Sequence, residues 1–391
     1  MTSIQIFYIA IAAVIAAAAA LLRFIYKKSF MLQTPVMPKP PLPCQPDDYY
    51  LPYENVLFSA ADGVVLKGWF IPSLNEDSSE TVIICHGRGS NKGQLLQKTH
   101  FLAEKYNLFY FDFRACGESK GNMSTIGYME TRDFDAAYTF LKTNKEGYAD
   151  RIAVMGCSVG GSVAVYGAAK YPEICGIVAE STFLSLRSVV ENWCRSKLPC
   201  FTVFVPLSIA FYRRRLKTDP ELFSPLFNVP RVKCPALFIY GDNDRLIPAA
   251  DRNKLVNMCG SSDKEVFIIS GATHTKCAET GGVMYRERIS DFLEKIFRSP
   301  ESADASEKKY CISGGKNTAA PKSNAEETPE NGTAAAEQAV NDKAQAIPET
   351  VHAAEKISAK TDAEEAPAEA KTAFAEAGAG GKKKKNKKKK K

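Results

Sequence analysis

The sequence predicts an α/β protein with a mostly parallel central sheet, helices on both faces, and a helical cap inserted late in the sheet. Three observations carry this. Between Tyr53 and Arg298, short apolar runs alternate with helix-length amphipathic stretches, the pattern of strands buried under crossover helices. Near the start, two strand-like runs flank Asp62-Gly63, a hairpin signal that adds antiparallel strands at one edge. Further on, a strand-like run enters Gly156-Cys157-Ser158-Val159-Gly160 and passes directly into a helical stretch.

The expected strands are Glu54 to Ser59, Val64 to Ile71, Thr81 to Cys85, Leu108 to Phe113, Arg151 to Met155, Ile174 to Ala179, Ala236 to Tyr240 and Glu265 to Ile269. From Thr81 onward all read as buried. The expected helices are Lys92 to Tyr106, Tyr128 to Thr143, Val159 to Lys170, Ala250 to Met258 and Val283 to Phe297. About fifty residues separate the strands ending near Ala179 and beginning at Ala236. They include the apolar run Phe201 to Tyr212, followed by Arg213-Arg214-Arg215. That run is too short to span a bilayer, and it reads as a cap helix or an interfacial segment.

Outside this region the chain changes character. Ile6 to Leu22 is uncharged and alanine-rich, and Arg23, Lys27 and Lys28 follow it. A cleaved signal peptide places its positive charge before the apolar run, so the stretch reads as an uncleaved anchor with the rest of the chain in the cytoplasm. Residues 33–52 hold seven prolines and read as a semi-rigid spacer. The expected organisation is an anchor over residues 1–28, a proline-rich linker over 29–52, a catalytic domain over 53–298 with its cap at about 182–230, and a tail over 299–391. The tail is rich in Ala, Glu and Lys and is expected to be disordered.

Charge and cysteine content narrow the function. The 391 residues carry a net charge of +7, but nine lysines lie between Lys382 and Lys391. Without them the balance is −2, and residues 300–381 are acidic at −7. A folded nucleic-acid-binding domain with a basic surface is therefore disfavoured. The terminal lysines leave anionic lipid or nucleic acid as possible tail partners. The eleven cysteines form no C-x-x-C pair and no metal-ligand spacing, which points to free thiols in a reducing compartment. Neither a Walker P-loop nor a G-x-G-x-x-G fingerprint occurs.

The candidate chemistry lies at Ser158. A serine held in a tight strand-to-helix turn needs small neighbours two positions away, and Gly156 and Gly160 supply them. The Val159 N–H then sits at a helix N-terminus. Four histidines are present: His86 and His100 precede the serine, His352 lies in the tail, and His274 directly follows a strand. For a nucleophile on such an elbow the chain order is serine, acid, histidine, which selects His274 as the base. Asp242 and Asp244 both follow the strand ending at Tyr240, and the residues alone do not separate them. The loop His86-Gly87-Arg88-Gly89-Ser90 offers a backbone N–H from Arg88 as a second oxyanion donor. His86 reads as structural, and the sequence leaves two directions for the Arg88 side chain, solvent or an anionic substrate group.

Together, His86-Gly87, Asp112 to Ser119, the elbow, Gly241 to Pro248 and the His274 loop resemble the α/β-hydrolase superfamily. The likeness runs from about Tyr53 to Arg298, and is nearest to membrane-anchored members labelled serine-aminopeptidase-like or monoacylglycerol-lipase-like. The resemblance implies an α/β-hydrolase fold, Asp244 as the catalytic acid with Ser158 and His274, and backbone N–H groups of Arg88 and Val159 as the oxyanion hole. Cys116 departs from the family, where a bulkier aromatic residue or histidine is usual. The expected activity is hydrolysis of carboxylic, acyl or lipid-like esters, with neither metal nor organic cofactor. A serine peptidase and an inactive membrane-tethered scaffold are the alternatives.

Overall fold

The computed structural model describes residues 2–29, 39–75, 78–197 and 199–298. The tail, and the first part of the proline-rich stretch, lie outside the described residues. The elements in chain order are α1 (Ser3–Ser29), β1 (Glu54–Ser59), β2 (Val65–Ile71), β3 (Glu80–Cys85), α2 (Lys92–Thr99), β4 (Asn107–Phe111), α3 (Tyr128–Asn144), β5 (Arg151–Cys157), α4 (Val159–Lys170) and β6 (Ile174–Glu180). They continue with α5 (Leu186–Lys197), α6 (Val205–Leu216), α7 (Pro225–Asn228), β7 (Ala236–Gly241), α8 (Ala249–Asn257), β8 (Lys264–Ile269) and α9 (Cys277–Arg298).

The eight strands form one sheet in the order β1-β2-β4-β3-β5-β6-β7-β8. The β1/β2 and β2/β4 pairs are antiparallel, and every later pair is parallel. Strand periodicity divides the core between the two faces. On β5, Ile152 and Val154 join one cluster with Phe134 and Val163 of α3 and α4, while Ala153 and Met155 join the other with Leu95 of α2 and Ile289 of α9. The sheet is therefore buried on both sides, which is why its central strands read as unbroken apolar runs.

Several expectations are corrected or refined. Strand β8 is an edge strand rather than a buried one, with Val266 46% and Ile268 41% exposed, because nothing pairs beyond it among the described residues. The helix beginning at Lys92 ends at Thr99, and a 3₁₀ turn, His100–Glu104, leads to β4. There the Thr99 hydroxyl bonds back to the Leu95 carbonyl at 2.7 Å and meets Tyr110 Oη at 2.8 Å. The expected last helix from Val283 is present, and a short helical turn from Cys277 precedes it across a break at Gly282 (φ 51°, ψ −119°). Finally, residues 39–52 pack against the domain and do not stand free as a spacer. Cys44 and Leu51 are buried in the core, Asn91 Nδ2 donates to the Pro40 carbonyl at 3.0 Å, and Lys39 Nζ donates to the Ser119 carbonyl at 2.8 Å.

Between β6 and β7 the chain forms the cap from α5, a 3₁₀ turn at Pro199–Phe204 and α6. It has its own small core of Leu186, Val190, Val205, Ile209 and Tyr212. The expected single cap helix over Phe201 to Tyr212 is thus divided, because Pro206 favours the first helical turn and starts α6 afresh. At the N-terminus, one stretch of α1, Ser3–Lys27, is long and apolar enough to cross a membrane, with a mean hydropathy of 2.4.

Candidate active site

The site lies at the C-terminal ends of β3, β5, β7 and β8. Ser158 adopts φ 56° and ψ −111°, a conformation that costs a non-glycine residue about 1–3 kcal/mol and persists only where its surroundings impose it. They do so here through close backbone contacts. A Cβ on Gly156 would fall 2.1 Å from the Gly160 carbonyl oxygen, and one on Gly160 would fall 2.0 Å from that of Cys85. The Ser158 N–H donates to the Glu180 carbonyl at 2.8 Å, tying the turn to β6. Steric exclusion therefore sets the elbow, as the glycine spacing anticipated.

His274 reaches the serine from the loop after β8, with Nε2 3.0 Å from Ser158 Oγ. Its Nδ1 lies 2.7 Å from Asp244 Oδ2, and that carboxylate is buried. The other Asp244 oxygen accepts from the N–H groups of Leu246 (2.9 Å) and Ile247 (3.2 Å), which fixes the carboxylate plane. A line of polar atoms thus runs from serine through imidazole to carboxylate. Asp242 does different work. It accepts from the Gly271 N–H at 2.7 Å and the Ser270 hydroxyl at 3.1 Å, and so holds the turn that leads to His274.

The loop after β3 comes close to the elbow: a Cβ on Gly87 would lie 3.5 Å from Ser158 Cβ. A turn closes from Gly87 to Ser90, whose N–H donates to the Gly87 carbonyl at 3.2 Å. Val159 begins α4, so its N–H has no acceptor within the helix. Arg88 and Val159 both line the same cavity as Ser158. His86 is buried beneath this loop. Its Nε2 accepts from the Phe113 N–H at 2.9 Å, and its Nδ1 lies 2.7 Å from the Gly87 carbonyl. That pattern needs a neutral ring with its proton on Nδ1, and burial lowers the His86 pKa accordingly. The Arg88 side chain is half-buried. Burial lowers its pKa, opposed by Glu130, and it lies near Tyr212 and Cys116.

Two groups beneath the site were not anticipated. Lys92 is fully buried, with Nζ 2.7 Å from Asp112 Oδ2 and 2.6 Å from Glu118 Oε2, and it lies over the Trp69 ring. Asp112 also accepts from the Lys92 N–H at 2.8 Å and the Glu118 N–H at 2.9 Å, so it fastens α2 to the Asp112–Ser119 loop. The sequence carried one signal, a lysine at the positive end of a helix dipole, where a cation is disfavoured unless paired. Glu130 is the second group. It accepts from the Ser124 and Thr125 hydroxyls (2.7 and 2.9 Å) and from the Thr125 and Gly127 N–H groups (2.8 and 2.9 Å). Tyr212 of the cap joins this loop by donating to the Thr125 carbonyl at 2.9 Å.

A cavity of about 840 Å³ opens above Ser158 and His274, within the range that holds small organic ligands. Much of its apolar lining comes from the cap (Val190, Phe201, Phe204, Val205) and from Phe24 and Ile25 of α1. Cys157, next to the serine, also lines it. Burial raises the Cys157 pKa well above its ordinary value, so the thiol stays protonated and a poor nucleophile.

The sheet order, the strand-to-helix turn at Ser158 and the cap together make an α/β-hydrolase fold. Residues 76–222 match the family model described as serine aminopeptidase, S33. Among relatives, an uncharacterized membrane protein of Saccharomyces cerevisiae is 28% identical over 258 residues, covering 64% of this chain and 84% of that one. The protein bem46 of Schizosaccharomyces pombe is 27% identical over 263 residues, covering 66% and 82%. Among solved structures, the Pyrococcus furiosus esterase Pf2001 is similar with a TM-score of 0.55 and 28% identity, covering 66% of this chain and 97% of its own. The fold and these neighbours support a hydrolase.

Proposed function

We propose that this protein is a membrane-anchored serine hydrolase that cleaves carboxylic esters bearing an acyl or lipid-like group. The observation that carries this reading is the chain of contacts from Ser158 Oγ through His274 to Asp244, at 3.0 and 2.7 Å, opening into a largely apolar cavity. In the proposed reaction, His274 Nε2 takes the Ser158 proton as Oγ attacks the ester carbonyl. Asp244 holds the proton on Nδ1 and stabilises the imidazolium. The Arg88 and Val159 N–H groups receive the oxyanion. Collapse of the tetrahedral intermediate expels the alcohol, which takes its proton from His274. Water, deprotonated by the same imidazole, then releases the acid from the acyl-enzyme.

The domain organisation belongs to this proposal: anchor, proline-rich connection, catalytic domain with cap, and tail. Arg23, Lys27 and Lys28 at the C-terminal end of the apolar helix favour a cytoplasmic catalytic domain. An ester is favoured over a peptide with a free amino terminus by Glu279, the carboxylate on the cavity wall. Lys98 (3.3 Å) and Lys276 (3.0 Å) already engage it, which leaves it poorly placed to bind a substrate ammonium.

The test is a panel of acyl esters and aminoacyl amides offered to the purified full chain and to Ser158→Ala. Ester turnover that Ser158→Ala abolishes supports the proposal. Preferential amide turnover contradicts it in favour of a peptidase, and turnover of neither contradicts it in favour of a scaffold.

A further inference from the structure

The anchor helix is exposed along its length, with one exception at its C-terminal end. Ile4, Phe7, Val14 and Ile15 are each more than half exposed, whereas Ile25 is only 3% exposed. Around Ile25, the Phe24 ring lies 5.6 Å from that of Phe201, and the Tyr26 ring lies 5.5 Å from that of Phe211. Phe24 and Ile25 therefore line the same cavity as Ser158 and His274. The uncharged part of the helix ends at Leu22, so Arg23 and Lys27 fix this turn at headgroup depth. Trp193 and Val203 of the cap are exposed, as is Arg214, a mixture suited to the membrane interface. Residues 39–52 pack onto the domain, so the described chain resumes against it ten residues after the end of α1.

We propose that the last turn of the anchor is a wall of the acyl-chain site, and that the substrate is an amphiphilic ester drawn directly from the leaflet beside it. This rests on the ester-hydrolase reading above and names where its substrate comes from. The physical reason is transfer cost. Each methylene exposed to water costs about 0.8 kcal/mol, so a long acyl chain is scarce as a soluble monomer. A cavity that opens at headgroup depth receives the chain without that passage.

The test uses the full chain in phosphatidylcholine nanodiscs, with palmitoyl and acetyl esters of one fluorogenic alcohol. The readout is the ratio of kcat/KM for palmitoyl to that for acetyl. Ile25→Trp, which takes up cavity space at this wall, is expected to lower this ratio roughly tenfold, the factor for losing the burial of about two methylenes. Phe24→Ala gives a smaller fall in the same direction and guards against a folding defect in the first variant. Ile9→Trp, on the exposed part of the helix, is expected to keep the wild-type ratio. Wild-type ratios in both Ile25→Trp and Phe24→Ala overturn the inference, as does an equal fall in Ile9→Trp, which traces the effect to membrane insertion. Failure of the wild type to hydrolyse either ester overturns the ester reading itself, and this inference with it.

Discussion

The elbow and the cap face each other across one cavity and are built in opposite ways. At the elbow, glycine after glycine meets backbone at distances that exclude a side chain, and Ser158 is held in a strained conformation by its neighbours. In the cap, five buried residues form the local core, the 3₁₀ turn buries none, and Val203 is 74% exposed. The difference teaches where precision is needed. The geometry at Ser158 must hold to a fraction of an ångström, whereas an apolar wall of the cavity needs area and room to adjust. Lightly packed elements open at lower free energy than the core, so the cap is the part expected to move.

Variants on each side can break this comparison, and the largest effect is expected on the rigid side. Asp244→Asn should lower ester turnover about 10⁴-fold by disturbing the His274 tautomer, while Asp242→Asn should cost less than about tenfold. Steady-state kinetics of the two variants decide which carboxylate serves His274. Next comes Lys92→Met, which leaves the buried Asp112 without its cation and should destabilise the protein by ~3–5 kcal/mol in urea unfolding. Gly160→Ala forces a methyl against the Cys85 carbonyl, with an expected cost of ~1–3 kcal/mol and displacement of Ser158, read as lost stability together with lost turnover.

On the soft side, Tyr212→Phe removes the hydrogen bond from the cap to the Thr125 carbonyl. The expected cost is about 1 kcal/mol, seen as faster amide hydrogen exchange confined to α6 and the Thr125 loop. If exchange rises across the whole domain instead, the cap is not a separately opening unit. The smallest effect concerns Glu118, whose pKa the hydrogen bond from Lys92 lowers below the ordinary 4.5. A depressed carboxylate contributes stability that is complete above its unfolded value and is lost as pH falls through the folded one. Glu118→Gln should therefore flatten the acid limb of a stability–pH profile below about pH 4.5 and leave its shape near neutrality alone.

How much of this was legible in the sequence depended on how local the physics was. The elbow was readable because the demand on Gly156, which meets the Gly160 carbonyl, lies within five residues, although Gly160 itself is held small by Cys85 on β3. His274 followed from chain order. Asp242 and Asp244 were not separable, since both sit on one turn and both are good turn formers. What distinguishes them is the partner each finds, the Gly271 N–H for one and the imidazole for the other. The exposed edge of β8 was hidden because Val-Phe-Ile-Ile has the composition of a core strand, and its neighbour count is a property of the sheet. The prolines of residues 39–52 suggested a spacer, but Cys44 finds its place only against α2, far along the chain. Lys92 and the share of α1 in the cavity were missed for the same reason, since both depend on contacts between distant segments.

The central claim, that Ser158 is an activated nucleophile, is tested most directly with a fluorophosphonate probe on the folded full chain, followed by peptide mapping of the adduct. The account predicts rapid labelling on Ser158, abolished in Ser158→Ala and strongly slowed in Asp244→Asn. Folded protein that takes up no probe, or labelling that persists in Ser158→Ala, would contradict it.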